Sequence, residues 1–164
     1  MSLPRKIRNY NAFLDGISYF GRTTEAKLPV VKINTEAHRG GGMDGPVGID
    51  VGTEGMSAEL TFADHPPEVL KQLGKQVRLV LRPAAKGEDG TVDTIIATIG
   101  GLMTTNEPGD LKPGNDTPLK VMVDVRYYRL EMNGEVIYDI DLVAGKRVIG
   151  GEDQLAEMRS AMGI

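Results

Sequence analysis

Three groups of residues have the types and spacing that chemistry could use. Gly40, Gly42 and Gly45, within "HRGGGMDGP", spell G-x-G-x-x-G, the spacing of a dinucleotide-binding turn. Such a turn needs a helix that starts at the glycines and aims its N-terminus at a pyrophosphate. Gly45-Pro46-Val47-Gly48 follows instead, which starts no long helix, and no βαβ unit surrounds it. No Gly-Lys-Ser/Thr follows, so a phosphate-cradling loop is excluded too. His38 and His65 are the two histidines of the chain. His65 sits just before Pro66-Pro67 and no activated serine motif accompanies either, so both are assigned to turns or surface rather than to acid–base work. The acidic run "NGEVIYDID" places Asp139 and Asp141 on one face of a strand, whereas a calcium site of the EF type is built in a loop. No catalytic, cofactor-binding or metal-ligating set is expected.

Composition narrows the classes further. The chain has 164 residues with 40% hydrophobic content, enough for one domain, 1–164, around a single core. No cysteine is present, which removes disulfides, thiolate nucleophiles and zinc-thiolate sites. The net charge of −4 opposes phosphate, so no free-standing nucleic-acid binder is expected. With three Phe, five Tyr and no Trp there is little material for an aromatic stacking platform. No apolar run is long enough to span a bilayer, and "MSLPRKIRNYNAF" lacks the apolar segment of a secretory signal.

The elements that would position any site are mostly short strands, as 21 glycines and nine prolines suggest. Asp15-Gly16 and Asn133-Gly134 each sit between apolar-rich flanks and mark tight hairpins. In the second hairpin, taking Met132 and Glu135 as the turn flanks pairs Val125 with Leu142, Tyr127 with Ile140, Arg126 with Asp141 and Leu130 with Ile137. Strands are also expected in "LPVVKINTE", "SAELTF", "QVRLVLR" and "VDTIIATIGGLM", the last with a bulge or close approach at Gly100-Gly101. "PAAKGEDGT" and "NEPGDLKPGNDTP" read as loops. A mid-chain helix is expected in "DHPPEVLKQLG", capped by Asp64, with Val69, Leu70 and Leu73 on its apolar face and Gly74 as its stop. A second helix is expected in "GGEDQLAEMRSAMG", with Glu152 and Asp153 at its positive end and Leu155, Met158 and Met162 packed on the sheet.

Four segments carry a family likeness: "LPRKIRNYNAFLDGISYFG", "KLPVVKINTEAHRGGGMDGPVGIDVG", "EPGDLKPGND", and "VRYYRLEMNGEVIYDIDLVAGKRVIGGEDQLAEMRSAMGI". In this order they resemble the major tail tube protein family of contractile-tailed bacteriophages (myoviruses) and R-type pyocins. The second holds the best-marked signature, an Arg-x-Gly-Gly-Met core at Arg39 to Met43 and an Asp-x-Gly turn at Asp50. The stretch from Asp64 to Thr94 matches in kind but not in residues. The resemblance implies a mainly β fold, a barrel-like sandwich of two packed antiparallel sheets with a flanking helix.

It also implies a structural virion protein and no enzyme. Subunits would form homo-hexameric rings stacked into a tube, surrounded by a sheath protein and filled by a tape-measure protein. Baseplate and tail-terminator proteins would bound the tube, and DNA would pass through the lumen without specific binding. Assembly would take place in the host bacterial cytoplasm, and no membrane binding is expected of this chain. On this basis Arg39, Gly40, Gly41, Gly42, Met43 and Asp44 are expected at a ring-to-ring or subunit contact, with Met43 as an adaptable apolar plug. Asp153 and Arg159 are expected to pair within the last helix or with a neighbour, and Glu54 and Glu59 to face the lumen. Two other readings stay open: a type VI secretion ring protein, and a monomeric β-barrel that binds a small ligand.

Overall fold

The computed structural model describes residues 2–164. Strands β1 (Lys6–Leu14), β2 (Ile17–Ser18), β3 (Thr23–Lys27), β4 (Ile33–His38), β5 (Val47–Thr53) and β6 (Met56–Phe62) come first. A short helix, α1 (Pro67–Leu70), leads into β7 (Gln76–Lys86), β8 (Val92–Pro108), β9 (Leu119–Met132), β10 (Glu135–Asp141), β11 (Lys146–Ile149) and β12 (Glu152–Asp153), and α2 (Ala156–Met162) closes the order. All pairings are antiparallel. The main sheet runs β12-β11-β10-β9-β8-β7-β1-β2, with β6 and then β3 branching from β9, while β4 and β5 form a separate two-stranded ribbon.

The branch explains the sandwich. Along one edge β9 follows β8 from Ile95↔Met132 to Pro108↔Leu119. Its other edge is shared: the first half pairs with β6 and the second half with β10. The changeover falls where Gly100 faces Tyr127 but Gly101 faces Val125, so Arg126 is an extra residue, a β-bulge. Buried side chains of β9 accordingly change parity, from Leu119, Val121, Val123 and Val125 to Tyr128 and Leu130. A single apolar cluster then unites β6 (Ala58, Leu60, Phe62) with β7 and β8 (Leu79, Leu81, Ala97, Ile99). The bulge expected at Gly100-Gly101 is present and sterically enforced. A Cβ on Gly101 would stand 2.1 Å from the Asp124 carbonyl oxygen.

The same parity change corrects the expected register of the second hairpin. Its turn is at Asn133, whose φ of 52° fits a type I′ hairpin, and Glu135 faces Met132 as expected. Further along, however, Tyr138 faces Leu130 and Ile140 faces Tyr128, with a second bulge between Val136 and Tyr138. Ile140 and Tyr128 are both fully buried, so the extra residue keeps the two apolar sets on the core side after β9 has flipped.

Both helices are shorter than the sequence suggests. Asp64 caps nothing: Pro66 occupies the N-cap position without a side-chain hydrogen bond, and the Asp64 carboxylate pairs with Arg22 at 3.1 Å. Proline at the start of α1 leaves few free N–H donors for a cap to satisfy. After one turn β8 captures the chain, through Gly74 N–H to the Met103 carbonyl and Met103 N–H to the Lys75 carbonyl. Val69 is buried, whereas Leu70 and Leu73 are exposed. Glu152 and Asp153 do not open the last helix but pair with β11. Met158 and Met162 are each 59% exposed, so α2 does not pack them on the sheet.

The remaining strands differ in extent. Residues 28–32 are not strand, β7 continues to Lys86, and β8 to Pro108. The first hairpin turns at Asp15-Gly16 as expected, and Tyr19 beyond it packs edge-to-face on Phe62 at 5.2 Å between centroids. Burial, then the neighbouring Glu68 carboxylate that accepts its hydroxyl at 3.4 Å, raise the Tyr19 pKa.

Candidate assembly surfaces

The ribbon holds most of the residues singled out by sequence. Its strands pair from His38↔Val47 to Ile33↔Thr53, with Val51 as an extra residue, and Arg39 to Pro46 connect them. The glycine motif therefore feeds a strand, the opposite of the helix that a dinucleotide turn demands. Within the loop Met43 N–H donates to the Gly40 carbonyl at 3.2 Å, and Arg39 Nε donates to the Met43 carbonyl at 3.2 Å. Met43 folds back so that its sulfur accepts the Gly40 N–H at 3.1 Å. It fills its own turn more than it projects from it. Gly41 and Asp44 are exposed, and no heavy atom lies within 4 Å of where a Gly41 Cβ would be.

A buried arginine that sequence reasoning missed holds the ribbon. Arg147 on β11 is only 3% exposed. Its guanidinium donates to Asp50 at 2.5 Å and to Thr53 Oγ1 at 3.3 Å, both on β5. The hydrogen bond from Arg147, then the Gly52 N–H, hold the Asp50 carboxyl below its ordinary 3.8. The available signal was the Asp-x-Gly turn at Asp50 and one arginine inside the strand-like run "KRVI". Only tertiary pairing joins them.

The rest of β5 has no cover. Val47 and Ile49 alternate along it, Val51 follows at the bulge, and each is close to half exposed. Val47 faces His38 and Ile49 faces Glu36 across the ribbon. These apolar positions were not singled out by sequence, because nothing in an alternating strand says which face stays open.

The other candidates sit elsewhere. Arg159 of α2 pairs with Asp153 and donates to the Gly145 carbonyl at 3.0 Å. The hydrogen bond between Arg159 and Asp153 lowers the Asp153 pKa, with help from the Leu155 N–H, and raises that of Arg159. The pair is intramolecular and closes the chain onto β11, where Gln154 N–H donates to the Arg147 carbonyl. Glu54 follows the ribbon and pairs with Lys32 at 3.5 Å, and Glu59 on β6 pairs with Lys120 at 3.4 Å. Each proposed lumen carboxylate thus carries a compensating lysine. His38 lies on the ribbon, and His65 Nε2 is 3.4 Å from the Pro118 carbonyl. Asp139 pairs with Lys146 at 2.9 Å, while Asp141 accepts the Val143 and Ala144 N–H groups. These two carboxylates are occupied within the sheet and its turn.

The fold is thus an antiparallel sandwich with open strand edges, which need protection from unwanted pairing, and an exposed two-stranded arm. Comparison with known proteins agrees. Residues 4–163 match the family described as phage tail tube protein FII. The tail tube protein of Escherichia phage P2 is 29% identical over 172 residues, covering 100% of both chains. The major tail tube protein of Serratia phage KSP20 is 29% identical over 147 residues, 87% of this chain and 86% of the relative. Among solved structures, a chain in the cryo-EM structure of the anti-feeding prophage baseplate, 6-fold symmetrised, superposes with a TM-score of 0.53 at 15% identity, over 80% of this chain and 97% of that one. The chain belongs to the phage tail tube protein FII family. It is a structural component of the virion tail that self-assembles and associates with other tail components, and it is not an enzyme.

Proposed function

We propose that the chain polymerises as homo-hexameric rings stacked into the inner tube of a contractile tail. The observation that carries this reading is the ribbon: an exposed arm with an apolar stripe, anchored to the body by a buried arginine. A monomer gains nothing from displaying such a stripe in water, whereas a neighbouring subunit would bury it. The loop Arg39 to Asp44 at its tip is a ring-to-ring or subunit contact. A sheath protein surrounds the tube, a tape-measure protein fills it before DNA enters, and baseplate and terminator proteins set its ends. Assembly takes place in the host cytoplasm.

DNA passes without specific binding. The net charge of −4 per subunit, repeated around each ring, supports that role through summed repulsion. Glu54 and Glu59 contribute to such a wall only as pairs with Lys32 and Lys120, so their individual effect is small. Negative-stain microscopy with sedimentation across a concentration series tests the proposal. Stacked rings or hollow tubes, spontaneous or seeded by a tail initiation complex, are the expected result. A chain that stays monomeric with the initiation complex present would overturn it.

A further inference from the structure

The body of the subunit carries an apolar recess that could receive the ribbon stripe. Ile7, Tyr10, Ala26, Leu28, Leu81 and Met132 are among the residues that line an apolar groove of about 300 Å³. Its banks are β1 and β3, and each is an open edge. β1 pairs with β7 on one side and touches β2 only at Phe13 and Leu14, while β3 pairs with β6 alone. From Lys6 to Asn11 one side of β1 therefore carries no strand partner. Tyr10 adds a second observation: its hydroxyl is buried and has no hydrogen-bond partner. Such a group is costly to leave unpaired, and an incoming backbone would satisfy it.

Charge points the same way. Lys6 and Arg8 flank Ile7, and Lys27 separates Ala26 from Leu28; among the described residues none of the three has a carboxylate within ion-pair distance. Glu36, which faces Ile49 across the ribbon, and Asp44 at its tip are acids likewise free of ion pairs. The ribbon and the groove are also distinct features of the same subunit: the ribbon is anchored through β11, whereas the groove opens beside β1 and β3. A projection that enters a different recess on a second copy makes a head-to-tail contact, which propagates around a closed ring or along a filament.

We infer that β5 of one subunit docks in the β1–β3 groove of a second copy of this chain. It pairs its free edge with β1 by strand addition and inserts Val47 and Ile49 as alternate side chains. The inference rests on the tube reading for its biological setting, but it names the recess that receives the ribbon and can fail separately.

Two exposed substitutions test it. Ile49→Asp breaks the stripe and leaves the groove intact; Leu28→Asp breaks the groove and leaves the stripe intact. Ile7→Asp replaces the latter if the melting temperature of the Leu28 variant falls. By sedimentation each variant alone stays monomeric. Their equimolar mixture forms a species of doubled mass and nothing larger, because each pair has just one intact stripe facing one intact groove. Fluorescence of anilinonaphthalene sulfonate bound at the groove falls on mixing. If the doubled species is absent while the parent chain forms tubes, the docking is wrong and the tube reading stands. Assembly of Ile49→Asp alone to the parental extent, or unchanged fluorescence on mixing, assigns the groove to another occupant and overturns the inference. A mixture that pairs while the parent never builds tubes on an initiation complex would retain the docking and remove the tube.

Discussion

Gly100-Gly101, in the middle of β8, and Gly40-Gly41-Gly42, just past the end of β4, are both glycine runs, yet the molecule uses them in opposite ways. At Gly101 the backbone of β9 presses so close that a Cβ would meet the Asp124 carbonyl oxygen at 2.1 Å. The glycine there lets the sheet bulge and divide, and with it the two-layered core. At Gly41 no atom lies within 4 Å and φ is unremarkable, so nothing inside the subunit requires glycine. Gly42 does have a use within its own turn, a φ of 84°. The first run is explained by the monomer. In the second only Gly42 is explained by the monomer, and Gly41 is left open to an approach from outside.

The largest expected effect is that of Gly101→Ala. It overpacks a backbone contact that cannot relax by rotating a side chain, and should cost at least ~3 kcal/mol, a large part of the stability of a domain this size. Urea unfolding of the purified monomer measures it, and a change below ~1 kcal/mol would erase the contrast between the two runs. The interior region is also expected to respond to alkali. Burial, then Tyr138, push the Tyr128 pKa up to about 12 from 10.0. A raised folded-state pKa means that this stability is whole below pH 10 and is lost as pH climbs toward about 12. Tyr128→Phe should flatten that part of the stability–pH curve.

Gly41→Val is predicted to do the reverse of Gly101→Ala. Monomer stability should move by no more than ~0.5 kcal/mol, while tube formation is blocked. Tubes of normal length in the microscope would remove the loop from the interface. The smallest effect concerns the ribbon clamp. Asp50 has a lowered folded-state pKa, so its contribution is present above 3.8 and fades as pH falls below that value. Amide exchange in residues 33–53 should accelerate first on acidification, with the β8–β9 amides still protected. Equal loss in both regions would mean that Arg147 does not hold the ribbon separately.

Local signals were legible wherever a residue's own conformational needs decide the outcome. Asp15-Gly16 and Asn133-Gly134 turn where expected, and the alternation of Ala58, Leu60 and Phe62 names the buried face of β6. What escaped depended on distant partners. The bulge was legible at Gly100-Gly101, but not that its extra residue is Arg126 on the partner strand β9, which has no residue-type signature of its own. Once that parity change is missed, the Tyr138↔Leu130 register is missed as well. Glu152-Asp153 looked like the acidic first turn of a helix, but Gly150-Gly151 folds the pair back onto β11. The glycine motif marked the loop at the ribbon tip, while the exposed Val47, Ile49 and Val51 and the anchor Arg147 appear only once strands are placed.

The length of the β8–β9 pair has a mechanical consequence. Its rungs run from Ile95↔Met132 to Pro108↔Leu119. A pull along these strands shears all the rungs together, so no single hydrogen bond bears the load. A pull on the ribbon tip is different, because it peels Ile33–Thr53 rung by rung toward one guanidinium clamp. A filament built from such units is stiff within each subunit and compliant at the joints, so strain concentrates between subunits and spares their interiors.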